Sequence, residues 1–130
     1  MQYEVIIKEH HLDSYGHVNN ATYMELYEEA RWEVITQNGY GYKKVHEIGL
    51  GPIVLGAEIK FLKELKLREK VIITMESSPF EGKIFKIKQE MRKENGDVAS
   101  EAVFTVGFFD LKNRKLILPT PEWLKAIGQA

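Results

Sequence analysis

The residues best suited to chemistry lie in a polar segment, residues 11–20, that leads directly into a long amphipathic stretch. Within it, Asp13 supplies a carboxylate that can act as a nucleophile or as a general base toward water. Residues 21–37 are predicted to form a helix, whose first N–H groups have no intrahelical partner and carry the positive end of its dipole. Such a helix terminus can polarise a carbonyl oxygen, so this pairing indicates acyl transfer to water.

An apolar face and two end signals define the predicted helix, which is the only long one that the pattern indicates. Four residues recur at helical spacing, and three glutamates form a solvated stripe opposite them. The first set is Tyr23, Tyr27, Ala30 and Val34, and the second is Glu25, Glu29 and Glu33. Asn19 or Asn20 is a suitable N-cap, and Asn38-Gly39 is typical of a helix end. The helix therefore begins next to Asp13.

Most of the remaining chain alternates between apolar and polar residues, as antiparallel strands do. A first strand is predicted within residues 2–9, and period-two patterns resume after a connector at residues 39–42. Further strands are predicted around residues 58–61, 71–75, 85–92, 98–109 and 114–118, before a brief C-terminal helix opened by Thr120-Pro121. Asn95-Gly96 suits a type I′ turn, and short links of this kind imply antiparallel neighbours.

This order of elements predicts an α+β fold in which one long helix lies in the concave side of a curved antiparallel sheet. One helix covers only one face of a sheet, so a sheet edge and apolar surface remain uncovered. We therefore expect self-association into a homodimer or a larger oligomer. A length of 130 residues fits a single domain spanning residues 1–130.

Composition narrows the possible partners. The 18 basic and 19 acidic residues give a formal net charge of −1, so no global field favours nucleic acid or an anionic membrane. Cysteine is absent, which excludes disulfides, thiolate metal sites and cysteine nucleophiles. The N-terminal sequence is unlike a signal peptide, and no run approaches the roughly 18 apolar residues of a membrane span. We expect a cytoplasmic protein with no nucleic-acid or membrane partner.

The segment from Asp13 through Gly16 to Tyr23, together with the strand end at residues 59–65, resembles hotdog-fold acyl-CoA thioesterases of the 4-hydroxybenzoyl-CoA thioesterase family. The resemblance spans nearly the whole chain. It implies a hotdog fold, hydrolysis of an acyl-CoA or acyl-carrier-protein thioester without a cofactor, and a homodimer or homotetramer with the site at a subunit interface.

Carried over residue by residue, the resemblance assigns the catalytic carboxylate to Asp13 and the carbonyl-polarising amide to Asn20. His17 is a further catalytic candidate, because it could orient Asp13 or the substrate carbonyl. Gly16, Asn19 and Tyr23 are the predicted substrate-binding residues: Gly16 lets the loop turn tightly, Asn19 caps the helix, and Tyr23 could touch the acyl group.

The chain also departs from the family pattern. Ser14-Tyr15 stands where the benzoyl-specific branch has Pro-Ala, and His17 stands where that branch has an apolar residue. Residues 17–20 are instead similar to the corresponding run in acyl-acyl-carrier-protein thioesterases. The acyl group therefore stays open, as does the choice between nucleophile and general base for Asp13.

Alternative interpretations remain. Asp13 with His17 is close to the pair of hotdog enoyl-CoA hydratases, although the Asn-Pro between them is missing. A non-catalytic acyl-binding module, with Asp13 as a turn residue, is the third hypothesis. His10, His11, Asp13 and His17 together resemble a metal-ligand cluster, but adjacent histidines at a strand end would point to opposite faces, so no metal is predicted.

Overall fold

The computed structural model describes residues 1–129, which form seven strands and three α-helices. In chain order these are β1 Gln2–Ile6, α1 Asn20–Gln37, α2 Tyr42–Ile48, β2 Leu50–Phe61, β3 Lys70–Thr74, β4 Glu76–Ser77, β5 Ile84–Lys93, β6 Val98–Asp110, β7 Lys115–Ile117 and α3 Pro121–Ala126. A single 3₁₀ turn, Glu9–His11, follows β1. The predicted order of strand, long helix and antiparallel strands is confirmed.

Helix α1 has the apolar face and the ends that the sequence predicts. Its buried residues include the whole predicted face, and the three glutamates opposite are exposed. Asn19 is the N-cap, since its side-chain oxygen accepts a hydrogen bond from the Ala21 N–H at 2.8 Å. Asn38 ends the helix, followed by Gly39 at a φ of +88°, a conformation that glycine adopts without strain.

The strands form one antiparallel sheet in the order β1-β3-β5-β6-β2, with β4 paired to β5 and β7 to β6. β6 is central, since it pairs with β5, β2 and β7. Its buried Phe104, Val106 and Phe108 contribute to the core that the apolar face of α1 covers. Ser100 of β6 accepts a hydrogen bond from the Tyr27 hydroxyl of α1 at 2.8 Å, which fixes the helix against the sheet.

Two local predictions are wrong. Period-two strands are predicted to resume directly after the connector at residues 39–42, but α2 begins at Tyr42 and precedes β2. This helix has one buried residue, Val45, and no side-chain cap, so its sequence carries little helical signal. The turn at Asn95-Gly96 is not type I′, because that turn needs a positive φ at both residues and only Gly96, at +91°, has one. The Lys93 N–H instead donates to the Asp97 carbonyl across a slightly longer loop.

Strand β2 lies at one edge of the sheet and pairs only with β6 in the described chain. A register shift between Val54 and Gly56 marks a bulge, a feature that bends a strand. Val54, Leu55 and Phe61 of this strand are each more than 40% exposed. A long edge strand with unpaired backbone groups and apolar side chains offers a surface for pairing with another chain.

Candidate active site

The loop that carries Asp13 is a tight turn held by its own backbone. The Asp13 N–H donates to the His17 carbonyl at 2.9 Å, and the Gly16 N–H donates to the Asp13 carbonyl at 3.3 Å. One carboxylate oxygen of Asp13, Oδ1, accepts from the Tyr15 N–H at 2.8 Å. Gly16 has a φ of +87°, which explains the need for glycine at this point. The turn leaves the second carboxylate oxygen of Asp13 outside these contacts.

That second oxygen, Oδ2, faces His17. It lies 3.7 Å from His17 Nδ1, and the side chains of Asp13 and His17 are 19% and 32% exposed. The Tyr15 ring stacks on His17 with 6.1 Å between ring centroids. The carboxylate is therefore partly withdrawn from solvent beside an imidazole that limits its orientation.

Two backbone hydrogen bonds attach this loop to its surroundings. The Asn19 N–H donates to the His11 carbonyl at 3.0 Å, which joins the start of α1 to the 3₁₀ turn. The Val18 N–H donates to the buried Leu65 carbonyl, also at 3.0 Å. This second bond brings the chain just after β2 next to the N-terminus of α1.

The first turn of α1 leaves one backbone donor open. The Ala21 N–H is taken by the Asn19 side chain, and the Thr22 N–H donates to the Asn19 carbonyl at 2.9 Å. The Asn20 N–H has no hydrogen-bond partner among the described residues. No acidic residue occupies this turn, so the helix itself supplies no charge that would neutralise the positive end of its dipole. An acceptor oxygen near Asn20 would meet an available donor and a favourable field.

A cavity of about 200 Å³ lies at this helix terminus. Its lining comes from α1, the residues just before it, and the end of β2 with the chain that follows. The lining residues are His17, Val18, Asn20, Tyr23, Phe61, Leu62, Lys63 and Glu64. Tyr23 and Phe61 meet edge to face with 4.9 Å between centroids, and burial raises the pKa of the Tyr23 hydroxyl. These rings form an apolar wall beside the open amide.

Three of the predicted site residues line this cavity and three do not. His17, Asn20 and Tyr23 are in the lining, whereas Asp13, Gly16 and Asn19 belong to the turn and the helix cap that shape it. Asp13 is connected to the cavity through His17, which contacts both. The structure thus brings the predicted residues together in one place but puts the carboxylate behind the histidine.

The family model described as the Thioesterase-like superfamily matches residues 7–127. The chain belongs to this superfamily. This thioesterase-like protein is 31% identical over 131 residues to the long-chain acyl-CoA thioesterase FadM of Escherichia coli (strain K12), an alignment that covers 99% of this chain and 98% of FadM.

Solved structures of thioesterases have the same fold as this chain. A probable thioesterase from Escherichia coli, YbaW, is 28% identical with a TM-score of 0.85, covering 97% of this chain and 95% of that one. A 1,4-dihydroxy-2-naphthoyl-CoA thioesterase from Synechocystis has the same fold, with a TM-score of 0.87 at 16% identity over 97% of this chain and 93% of the other. The predicted hotdog fold and the predicted enzyme class, a thioester hydrolase, are confirmed.

Several lining residues of this thioesterase-like protein had no role in the sequence prediction. Phe61, Lys63 and Glu64 belong to the strand end that carried the family resemblance, but no sequence signal indicates that this segment adjoins the helix N-terminus. Glu64 is the carboxylate that lines the cavity directly. It is therefore the alternative to Asp13 that an experiment must separate.

His10 and His11 do not lie at a strand end, so the prediction that their side chains point to opposite faces is wrong. His10 and His11 lie in a 3₁₀ turn, where their rings come within 4.1 Å of each other, centroid to centroid. Within residues 1–129, however, no three histidine, aspartate or glutamate side chains converge as metal ligands would. His11 Nδ1 is occupied as the acceptor of the Lys8 N–H at 2.9 Å. In the same range, no helix is long and apolar enough to span a bilayer.

Proposed function

We propose that this protein hydrolyses an acyl-CoA thioester to a carboxylic acid and CoA, with Asp13 as the catalytic carboxylate and the Asn20 N–H as the donor to the thioester carbonyl. The observation that carries the proposal is the open Asn20 amide in a cavity whose His17 wall contacts Asp13. The similarity to FadM over nearly the full length of both chains supports acyl-CoA as the substrate class.

In the proposed reaction the thioester carbonyl oxygen accepts a hydrogen bond from the Asn20 N–H. This donor and the helix dipole stabilise the negative charge that develops on that oxygen. Asp13 either removes a proton from a water that attacks the carbonyl carbon, or attacks the carbon itself to give an anhydride that water then cleaves. In both routes the carbon–sulfur bond breaks, CoA leaves as the thiolate, and the acyl group leaves as an acid.

The other predicted residues have supporting roles in this proposal. His17 orients the Asp13 carboxylate, Gly16 permits the turn that presents it, and Asn19 caps the helix so that the amide of the next residue stays open. Tyr23, with Phe61, contacts the acyl group next to the carbonyl. Acyl-carrier protein could replace CoA as the carrier, because none of these contacts involves the nucleotide.

Thiol release from short, medium, long and aromatic acyl-CoAs tests this proposal. We expect Asp13→Asn to lower the rate by about a hundredfold or more, a loss typical of removing a catalytic group. The variant amide still offers an oxygen to the Tyr15 N–H, so the turn should persist.

Asp110→Asn is the matched control, since Asp110 Oδ1 likewise accepts the N–H two residues on, from Lys112 at 3.0 Å, but in a turn far along the chain. An equal loss in both variants would mean that Asp13 only supports a turn. A larger loss in Glu64→Gln than in Asp13→Asn would move the role to Glu64. Hydration of crotonyl-CoA without thiol release would favour the hydratase alternative.

We further propose that the protein forms a homodimer, or a homotetramer built from such dimers, through β2. The exposed apolar side chains and unpaired backbone edge of this strand support the proposal. Leu55→Lys, which places a charge at the middle of the strand, should give a monomer in size-exclusion chromatography with light scattering. Leu118→Lys changes an exposed leucine outside β2 and should leave the oligomer intact. A monomeric wild type would refute the proposal.

A further inference from the structure

A second cavity, of about 270 Å³, lies between the middle of α1 and the sheet. It shares no lining residue with the cavity at the helix N-terminus. Its walls come from α1, β2, β5, β6, α3 and the residue after β3, and most of them are apolar. They are Glu28, Arg31, Trp32, Ile35, Pro52, Ile53, Val54, Met75, Ile87, Val106 and Trp123. Arg31 lies roughly 16 Å along the helix axis from Asn20.

Arg31 is a buried cation in this apolar wall. It is only 8% exposed, and no carboxylate lies within 4 Å of its guanidinium among the described residues. Its Nη1 donates to Gln89 Oε1 at 3.0 Å, and its Cζ lies 4.1 Å from the centroid of the Phe104 ring. Burial lowers the pKa of Arg31 to about 10, so the group remains charged at neutral pH. The remaining guanidinium N–H groups have no hydrogen-bond acceptor in the described chain.

Trp123 adds a second donor without an acceptor. The side chain is 1% exposed, and its Nε1 is the one buried side-chain nitrogen or oxygen of the described residues that lacks a partner. Contacts with Tyr40 and Phe108, at centroid distances of 5.1 and 5.3 Å, hold the indole in place. A buried N–H with no acceptor costs free energy. Because this nitrogen is closed to solvent, a ligand in the cavity would meet the indole ring and not the N–H.

We propose that this cavity binds an apolar monocarboxylate, with the carboxylate on Arg31 and the hydrocarbon among the aliphatic and aromatic walls. A buried positive charge with unused guanidinium donors and an apolar lining together match an anion with an apolar body. The identification of that ligand as a free fatty acid rests on the proposed function, because thioester hydrolysis releases such acids.

The dimensions of the cavity limit the ligand. An apolar protein cavity of about 150 Å³ holds benzene, so 270 Å³ accommodates about ten non-hydrogen atoms. Octanoate has that size. A phosphorylated or multiply charged ligand fits poorly, because the lining supplies one cation and otherwise offers aliphatic and aromatic surface.

Glu28 also lines the cavity and is exposed. It lies too far from Arg31 to form an ion pair in the structure, yet its negative charge opposes an incoming carboxylate. Glu28→Gln should therefore tighten octanoate binding. An unchanged or weaker octanoate affinity in this variant would contradict a ligand carboxylate bound beside Arg31 and Glu28.

Tryptophan fluorescence reports directly on this cavity, because the chain has two tryptophans and both line it. We would titrate the full chain with octanoate and, separately, with 1-octanol, which has the same hydrocarbon chain without the charge. Octanoate should give a saturable change with one site per chain and bind at least about tenfold tighter than octanol, as expected for charge-assisted hydrogen bonds. Equal affinities, or no saturable change with octanoate, would overturn the proposal.

Substitutions in the cavity wall test whether the preference for octanoate arises at Arg31. Arg31→Met should abolish the preference for octanoate over octanol, while Arg31→Lys, which keeps the charge, should retain part of it. Trp123→Phe keeps an aromatic wall and the Arg31 charge, so in calorimetry it should retain the preference for octanoate. Glu28→Gln, which keeps Arg31, provides a second test if Arg31→Met fails to fold. An unaltered preference in folded Arg31→Met would refute the site.

The same titration with Asp13→Asn separates this inference from the proposed function. Octanoate binding to that variant should match the wild type, because the cavity does not include Asp13. Binding would then stand even if thiol release were absent, and thiol release would stand even if octanoate did not bind.

Discussion

Polar groups cluster at two places along helix α1, its N-terminus and the region of Arg31, and their surroundings differ. At its N-terminus an open backbone N–H and a partly exposed carboxylate lie within reach of solvent. Around Arg31, a charge is enclosed by aromatic and aliphatic side chains. Water can satisfy an open amide at the surface at little cost, whereas a buried cation lowers stability unless its partners are well placed. We infer that substitutions at the helix start can change the reaction rate with little loss of stability. Substitutions around Arg31 cannot be made without such a loss.

The largest effect that would test this comparison comes from removing the open donor alone. Asn20→Pro deletes the N–H, and proline is well tolerated at the first position of a helix. Asn19 has the extended backbone, with φ −63° and ψ 140°, that a residue before proline requires. Because an oxyanion donor contributes about 10²–10³-fold to a rate, we expect thiol release to fall by that amount with almost unchanged urea unfolding.

Asn20→Ala keeps the N–H and removes the side chain, and it should cost less than about tenfold in rate if the amide carries the role. A similar loss in both variants would mean that the side chain acts instead. A large loss of stability in the proline variant would show that the helix start is not the tolerant region that the comparison assumes.

The two ends of α1 were the parts of the molecule that the sequence predicted best. Asn19, Asn38 and Gly39 act on backbone groups within a few residues, so their effect is readable locally. The turn at Asp13 and Gly16 is equally local. The β6 alternation could be predicted because burial on a sheet face has a fixed period of two.

The Arg31 region and the outer wall of the active site could not be predicted for the opposite reason. Arg31 is buried because Gln89 and Phe104 meet it from strands that are distant in sequence. Phe61 and Glu64 reach the helix N-terminus only because the Val18 N–H bonds to a carbonyl after β2. Such pairings depend on the assembled sheet, and periodicity within one segment does not contain them.

A smaller effect, on stability, should come from the buried partner of Arg31. Gln89 is fully buried, and its Oε1 is the acceptor for Arg31 Nη1. Gln89→Leu leaves that donor unpaired inside the protein, which should lower the free energy of unfolding by about 1–3 kcal/mol. Gln37→Leu, the same change at an exposed position of α1, should stay within about 0.5 kcal/mol. Urea denaturation at constant pH measures both, and equal values would contradict the contrast between the two regions.

The smallest expected effect is a pH dependence confined to the N-terminal region. Burial, followed by the neighbouring His10, holds the pKa of His11 below its usual range, although nearby Glu29 opposes this shift. The neutral ring accepts the Lys8 N–H, and the His11 carbonyl holds Asn19 at the helix start.

Because the folded pKa of His11 is lowered, the unfolded chain binds more protons once the pH falls below the ordinary histidine value of about 6.5. The His11 contribution to the free energy of unfolding should therefore be complete near pH 7.5 and decline as the pH falls through about 6.5. Arg31 does not titrate in this range, so its region should contribute nothing to the pH dependence of the free energy of unfolding. Urea unfolding at pH 7.5 and 5.5 measures the decline. It should shrink in His11→Asn and persist in His46→Asn, since His46 is exposed. If the decline were unchanged in His11→Asn, other groups would bind the protons responsible for it. The contacts of His11 at the helix start would then not be pH-sensitive.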